Sequence, residues 1–350
     1  MTKIFSKIFP KAHEPKIIAF DRRKLFGDIM VSIPALYLAK KLYPSANLVL
    51  ITNARGKNLC QNFSFIDRIV ECESSGDFGA VINEIAPDIL ILGHRTSENI
   101  TIANQSKCPK IISWIHLKSM FLPKFRHPLY VMKGKKREIQ SCIDLIRTIN
   151  PRRFDKIIGK VALQNLPIQI QTSRENVAFV DAILKGGGNY KLIIGIHCFR
   201  GKAIFNLAPH DWIALGKEIA REFSDILVVF TNHKSTAYAF PPFSETNIKV
   251  FVNNDDLLNL AELTKRFDLL LCADTGNAHL ADNLKVRILE LIHTKNLYRW
   301  GCGAYNNECQ TIALPDDWEQ RYEIYKQMYF SKAKDWIGRL LQDLSDSPRI

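Results

Sequence analysis

Short apolar runs of strand length alternate with amphipathic stretches from one end of this chain to the other, and that alternation leaves few folds open. It is the pattern of βαβ units, in which strands buried on both faces of a parallel sheet are joined by crossover helices. In the first half the strand candidates are 16–20, 48–52, 68–72, 89–93 and 110–114. The clearest helical pattern between them is 28–42, where Ile29, Ile33, Leu36, Tyr37 and Leu38 build one apolar side. A strand at 192–197 opens a second series. A helix at 209–223 follows it, then strands at 225–231 and 248–252, a helix at 255–266, a strand at 268–273, a helix at 276–283 and a strand at 286–292. The stretch 165–173 has linker composition, and the glycines of 186–188 stop a helix before the second sheet. The tail from Asp316 is helical in pattern and leaves open a return across the domain boundary. The expected organisation is therefore α/β, with two doubly wound domains divided at 168/169 and ligands bound in a cleft at the carboxyl ends of the strands.

A length of 350 residues suffices for two such cores. No apolar run reaches the length of a membrane-spanning helix, and the first residues lack the apolar core of a signal peptide, so a cytosolic protein is expected. Eight cysteines are widely spaced with no CxxC pair, which reads as reduced structural thiols and not as a zinc site. Neither GxGxxG nor GxxxxGK[ST] occurs, so no nicotinamide, flavin or nucleoside-triphosphate loop is indicated and no cofactor is expected. The net charge of +13 is uneven: between Lys118 and Lys160 twelve Lys and Arg face three acids. A solvated face accounts for any one of these residues, whereas the cluster favours an anionic partner. No element for reading nucleic acid is recognisable, and no nucleic-acid partner is expected.

Three constellations carry candidate chemistry. In Leu25-Phe26-Gly27-Asp28-Ile29 the chain leaves the first strand and turns into a helix, with Asp28 at the helix start. Asp28 can cap the helix, or it can serve as a general base that takes the proton of an attacking hydroxyl. From the residues alone the cap is the stronger reading. In Cys272-Ala273-Asp274-Thr275-Gly276-Asn277-Ala278-His279-Leu280 a buried strand runs straight into a helix. First-turn amides and the helix dipole suit phosphate oxygens there, and Gly276 permits close approach. Thr275 and His279 share a face. Capping explains Asp274 and Thr275 but not the Gly and His beside them, so a ligand site is favoured. After the last strand, Arg299 in Tyr298-Arg299-Trp300-Gly301 is either a phosphate contact or part of a loop anchored by Trp300. There is no DxD, and Asp255-Asp256 read as a helix start.

The order and spacing of Gly27-Asp28-Ile29-Met30, Pro34-Ala35-Leu36, Pro44-Ser45-Ala46, Pro87-Asp88 and Asp274-Thr275-Gly276-Asn277-Ala278-His279-Leu280, followed by Arg299-Trp300-Gly301, resemble glycosyltransferase family 9, the lipopolysaccharide core heptosyltransferases. The resemblance spans roughly residues 16 to 301. It implies a GT-B architecture, with two Rossmann-like domains facing across a cleft: an N-terminal acceptor-binding domain and a C-terminal nucleotide-sugar-binding domain. It also implies inverting, metal-independent transfer of a sugar, above all heptose from ADP-heptose, onto lipopolysaccharide core. Carried over by position, Asp28 is the base, Asp274 contacts the donor sugar, and Thr275, Gly276 and His279 hold the diphosphate. An anionic acceptor on a lipid anchor accounts for the basic segment, with Lys133, Lys135 and Lys136 as acceptor contacts and a peripheral contact with the cytoplasmic face of the inner membrane. The chain departs from the family in places. The position of a customary lysine holds Phe205, with Lys202 three residues earlier as its substitute at the donor. The small residues that follow H-L are here Asp282 and Asn283.

Overall fold

A computed structural model describes residues 14–23, 25–128, 136–185, 190–199, 206–236, 238–305 and 307–346. Of the residues singled out above, Lys133, Lys135, Lys202, Phe205 and the glycines of 186–188 lie outside them. The strands are β1 (Ile17–Arg22), β2 (Asn47–Thr52), β3 (Arg68–Glu71), β4 (Ile89–Leu92), β5 (Lys110–Ser113), β6 (Phe125–Arg126), β7 (Leu192–His197), β8 (Ile226–His233), β9 (Ile248–Asn253), β10 (Leu269–Ala273), β11 (Arg287–His293) and β12 (Cys309–Leu314). The helices are α1 (Phe26–Met30), α2 (Ile33–Leu42), α3 (Ala54–Cys60), α4 (Ser75–Ile85), α5 (Ser97–Gln105), α6 (Glu138–Ile149), α7 (Pro151–Ile157), α8 (Arg174–Leu184), α9 (Pro209–Glu222), α10 (Leu257–Lys265), α11 (Gly276–Asn283), α12 (Thr294–Trp300) and α13 (Tyr322–Asp346).

Two compact units result. The first comprises the described residues within 1–24, 32–133 and 139–161; the second, those within 25–31, 134–138 and 162–350. Each contains one six-stranded sheet, ordered β3-β2-β1-β4-β5-β6 in the first and β12-β11-β10-β7-β8-β9 in the second. Every strand pair is parallel. Both orders are the 3-2-1-4-5-6 arrangement of doubly wound folds, so each sheet reverses direction once, between β1 and β4 and between β7 and β10. Strands covered on both faces need continuous apolar sequence. Ile89-Leu90-Ile91-Leu92 and Leu269-Leu270-Leu271-Cys272-Ala273 supply it and are buried throughout.

The amphipathic stretch expected as one helix over 28–42 is two helices, with the break at Val31 and Ser32. Pro34 is the cause: it offers no N–H to the carbonyl of Met30, and its ring crowds that carbonyl. The break gives α1 to the second unit and α2 to the first. Strand β12 was not expected, because Cys309, Gln310 and Thr311 at the edge of the second sheet lack a strand's apolar run. The tail helix α13 buries Tyr329, Phe330, Ala333, Trp336, Ile337 and Leu340 in the core of the second unit. The reading of all cysteines as reduced needs correction: Cys302 and Cys309 are joined in a disulfide with Cα atoms 6.2 Å apart. The other six are free and buried. Cys302 and Cys309 approach because the loop after α12 folds back into β12, a closure that spacing alone did not reveal.

Candidate functional site

The carboxyl end of β10 lies at the reversal point of the second sheet, and Asp274 and Thr275 lead directly from it into α11. Thr275 occupies the N-cap with extended backbone (φ −142°, ψ 169°) and makes no side-chain capping bond. Its Oγ1 is buried and, among the described residues, has no hydrogen-bond partner. The first-turn amides of a helix have no partners within it, and the dipole adds partial positive charge there. Asp274 has partners outside the helix: its Oδ2 accepts from Asn296 Nδ2 at 3.1 Å, and its own N–H donates to the carbonyl of Leu291 at 2.8 Å.

Helix α1 packs against this helix start. A methyl group on Gly27 would stand 3.0 Å from His279 Cδ2, and one on Gly276 would stand 2.2 Å from Phe26 Cδ1 and 3.1 Å from the Gly27 nitrogen. The two glycines thus let the two helix starts meet backbone to backbone. The space that Gly276 leaves is taken up by Phe26, a packing role that the motif alone did not disclose. The N-cap of α1 is Leu25, which has no capping oxygen, and Asp28 sits in the first turn, half-buried. Asp28 is therefore not at the cap position, and the carboxylate belongs to the same neighbourhood as Asp274 and His279. Burial pulls the His279 imidazole below its usual range, against the pull of the Asp274 and Asp28 carboxylates. Its ring centroid lies 5.8 Å from that of Trp300.

Of the other expected residues, Arg299 is engaged elsewhere. Its Nε and Nη2 reach Glu138 Oε2 at 2.8 and 2.7 Å, and its guanidinium lies 5.4 Å from the centre of the Trp300 ring. Lys136 is half-buried.

Several residues near the site were missed. Arg137, counted only as one cation of the basic cluster, donates through Nη1 to the carbonyls of Gly301 and Cys302, each at 3.2 Å. Glu138, beside it, is buried and holds Arg299. Glu290, an acid inside the apolar strand β11, accepts from the Cys302 N–H at 3.1 Å, while its Oε1 is buried without a partner among the described residues. Burial, helped by the Asp274 carboxylate, lifts its carboxyl to about 8. An acid in a strand such as Arg287-Ile288-Leu289-Glu290-Leu291 was the signal available for it. Asp282 and Asn283 have structural partners. Asp282 accepts from the amides of Ala304 and Tyr305 at 2.9 and 3.4 Å, and burial lifts it to about 6. Asn283 pins the expected linker by bonding the Ile170 N–H and the Ile168 carbonyl. Among the described residues no three His, Cys, Asp or Glu side chains gather as metal ligands.

The arrangement presents a helix start suited to anionic oxygens, with a carboxylate from α1 and another from the β10 end in its neighbourhood. No protein-family model matches the chain, and no curated protein matches it. Solved structures do. A glycosyl transferase family 9 protein from Veillonella parvula aligns with TM-score 0.67 at 16% identity over 89% of each chain. ADP-heptose lipopolysaccharide heptosyltransferase II of E. coli aligns at 0.66 and 14%, over 91% of this chain and 99% of that one. The E. coli heptosyltransferase WaaC with ADP-2-deoxy-2-fluoro heptose aligns at 0.61 and 13%, over 92% and 99%. At such identities the likeness shows the fold: two Rossmann-like α/β domains of the GT-B type.

Proposed function

We propose that this chain is a glycosyltransferase that moves a sugar from a nucleotide-diphospho-sugar to a cell-envelope glycan. The donor that fits best is ADP-heptose and the acceptor is lipopolysaccharide core. The observation that carries the reading is the packing of α1 on α11, which sets Asp28 in one electrostatic neighbourhood with Asp274 and His279. Two helix starts that are separate in sequence are built into one place, as a transfer site requires. The fold likeness supports the class, since two of the similar structures are heptosyltransferases by name.

In this reading the α11 amides, the Thr275 hydroxyl and His279 receive the diphosphate, whose charge grows as the glycosidic bond breaks. Asp274 accepts from the donor sugar's hydroxyls. Asp28 removes the proton of the acceptor hydroxyl as its oxygen attacks the anomeric carbon from the opposite side, inverting it. Arg299 reaches the donor only by leaving Glu138, so its donor role is the weakest of the set. Lys202 is the proposed second cation at the leaving group. The basic segment with Lys133, Lys135 and Lys136 meets an acceptor bearing carboxylates and phosphates, and a peripheral membrane contact goes with such an acceptor.

A thermal-shift screen against ADP-, UDP-, GDP- and CDP-sugars tests the reading. Saturation at about 100 Kd adds about 2.7 kcal/mol of stability, so one nucleotide-sugar class is expected to raise Tm by several degrees and Thr275→Val to reduce that shift. No shift with any of them would overturn the proposal.

A further inference from the structure

The loop that follows β5 carries a second feature, contained within the first unit. Four large apolar side chains stand in solvent there: Phe121 is 82% exposed, Leu117 77%, Met120 53% and Ile115 41%. Such side chains in one short segment are what a soluble surface avoids. The loop is not loose. Ser119 is buried at its centre, and its N–H and Oγ both donate to the His116 carbonyl, at 2.8 and 2.9 Å. The Met120 N–H reaches the same carbonyl at 3.1 Å. His127 ties the loop's base, with Nδ1 at 2.9 Å from the Ser113 carbonyl and Nε2 at 3.3 Å from that of Ser119. The backbone is thus a built turn that presents Leu117 and Phe121 outward.

The charge around them has one sign. No acidic residue occurs between Glu98 and Glu138. Arg95 bonds the Ile115 carbonyl and Lys118 the Thr101 hydroxyl. Lys124 Nζ donates to the carbonyls of Asn104 and Ser106 at 2.9 and 2.6 Å, and Arg126 Nη1 to those of Pro123 and Phe125, each at 2.7 Å. Among the described residues these four cations are held by neutral oxygens, with no carboxylate to cancel them. Arg95, Lys118 and Arg126 are exposed, while Lys124 is half-buried against the carboxyl end of α5. Exposed apolar side chains in a segment whose cations have no carboxylate partner complement an interface that is anionic above and hydrocarbon below.

We propose that the 115–126 segment docks the chain onto an anionic lipid bilayer, with Leu117, Met120 and Phe121 entering the headgroup–acyl boundary and Arg95, Lys118, Lys124 and Arg126 lying against lipid phosphates. This gives the membrane contact of the proposed function a surface, yet it stands on the loop's own geometry and needs no transferase activity.

Flotation with vesicles of phosphatidylglycerol and phosphatidylethanolamine, free of any glycan acceptor, tests it directly. The full chain is expected to float with them and to partition at least about tenfold more weakly to phosphatidylcholine vesicles, or at about 0.5 M salt, where charge attraction is screened. L117S/F121S, whose side chains are exposed and whose melting temperature is expected to be unchanged, should lose about tenfold or more in partition coefficient. A polarity-sensitive label on Phe121→Cys should shift to the blue only with the anionic vesicles; the free cysteines among the described residues are buried and so shielded from it. Wild-type protein that stays in solution, a double variant that floats as well as wild type, or equal binding to neutral vesicles would each overturn the proposal. Wild-type protein that self-associates without floating, with L117S/F121S remaining monodisperse, would overturn it in favour of a protein partner. Because no donor or acceptor is present, failure here leaves the transferase reading intact, and success does not presuppose it.

Discussion

Asp28 illustrates how far a residue's role depends on one position along a helix. Had it stood at the N-cap of α1, its loss would be chiefly a loss of helix stability. The N-cap is Leu25 instead, and Asp28 lies in the first turn, where it complements the dipole and contributes to the potential felt by His279. A general base contributes on the order of 10²–10⁴ in rate. Asp28→Asn removes the basicity and retains the shape, so kcat is expected to fall by about that factor while donor affinity holds and Tm moves by no more than a degree or two. Steady-state kinetics alongside calorimetry decide it. A variant that turns over within a few-fold of wild type would leave Asp28 a structural acid and move the base elsewhere.

At the scale of elements, most of the two sheets was legible, because strands buried on both faces must be apolar and short. The strand read at 192–197 coincides with β7 and the helix read at 276–283 with α11. What escaped was set by tertiary context. Strand β12 is an edge strand with half-polar sequence, and the 28–42 helix broke at a proline that a first-turn reading tolerates. In the site, the motif residues were legible, but Arg137, Glu138 and Glu290 were not, since their roles arise from loops brought together by the fold. Gly276 was legible only in part. Sequence suggested room for phosphate, whereas the structure fills that room with Phe26. Gly276→Ala must push α1 and α11 apart, and overpacking of this kind costs about 1–3 kcal/mol. A double-mutant cycle with Phe26→Ala should show a favourable coupling of about 1 kcal/mol or more, read as Tm in the four proteins. If Gly276→Ala melts like wild type, the helix contact is not the constraint on that position, and phosphate access alone explains the glycine.

For the molecule as a whole, two buried acids of the second unit contribute to how stability responds to pH. Glu290 is lifted from its ordinary 4.5 to about 8, first by burial and then by the Asp274 carboxylate, with the Cys302 N–H opposing. Asp282 is lifted to about 6, again chiefly by burial. A carboxyl raised on folding keeps its proton in the native state after the unfolded chain has released it. Its contribution is therefore complete below the unfolded value, near 4.5 for Glu290, and is lost as pH rises through 8. His279 acts in the other direction: held neutral by burial, it costs stability only as pH falls below its ordinary 6.5. Between pH 6 and 9 the Glu290 effect remains, and titrating it over two pH units amounts to about 3 kcal/mol, or roughly 5–10 °C in Tm for a domain of this size. Glu290→Gln retains an acceptor for the Cys302 N–H and removes the ionisation. Its Tm should stay nearly flat over that range where the wild-type value declines, so that the variant is the more stable protein at pH 9 and no more stable than wild type at pH 5. Melting curves at half-unit steps separate the two cases. Parallel curves would mean that Glu290 is solvated or charged throughout, and that the pH response of this unit comes from its surface.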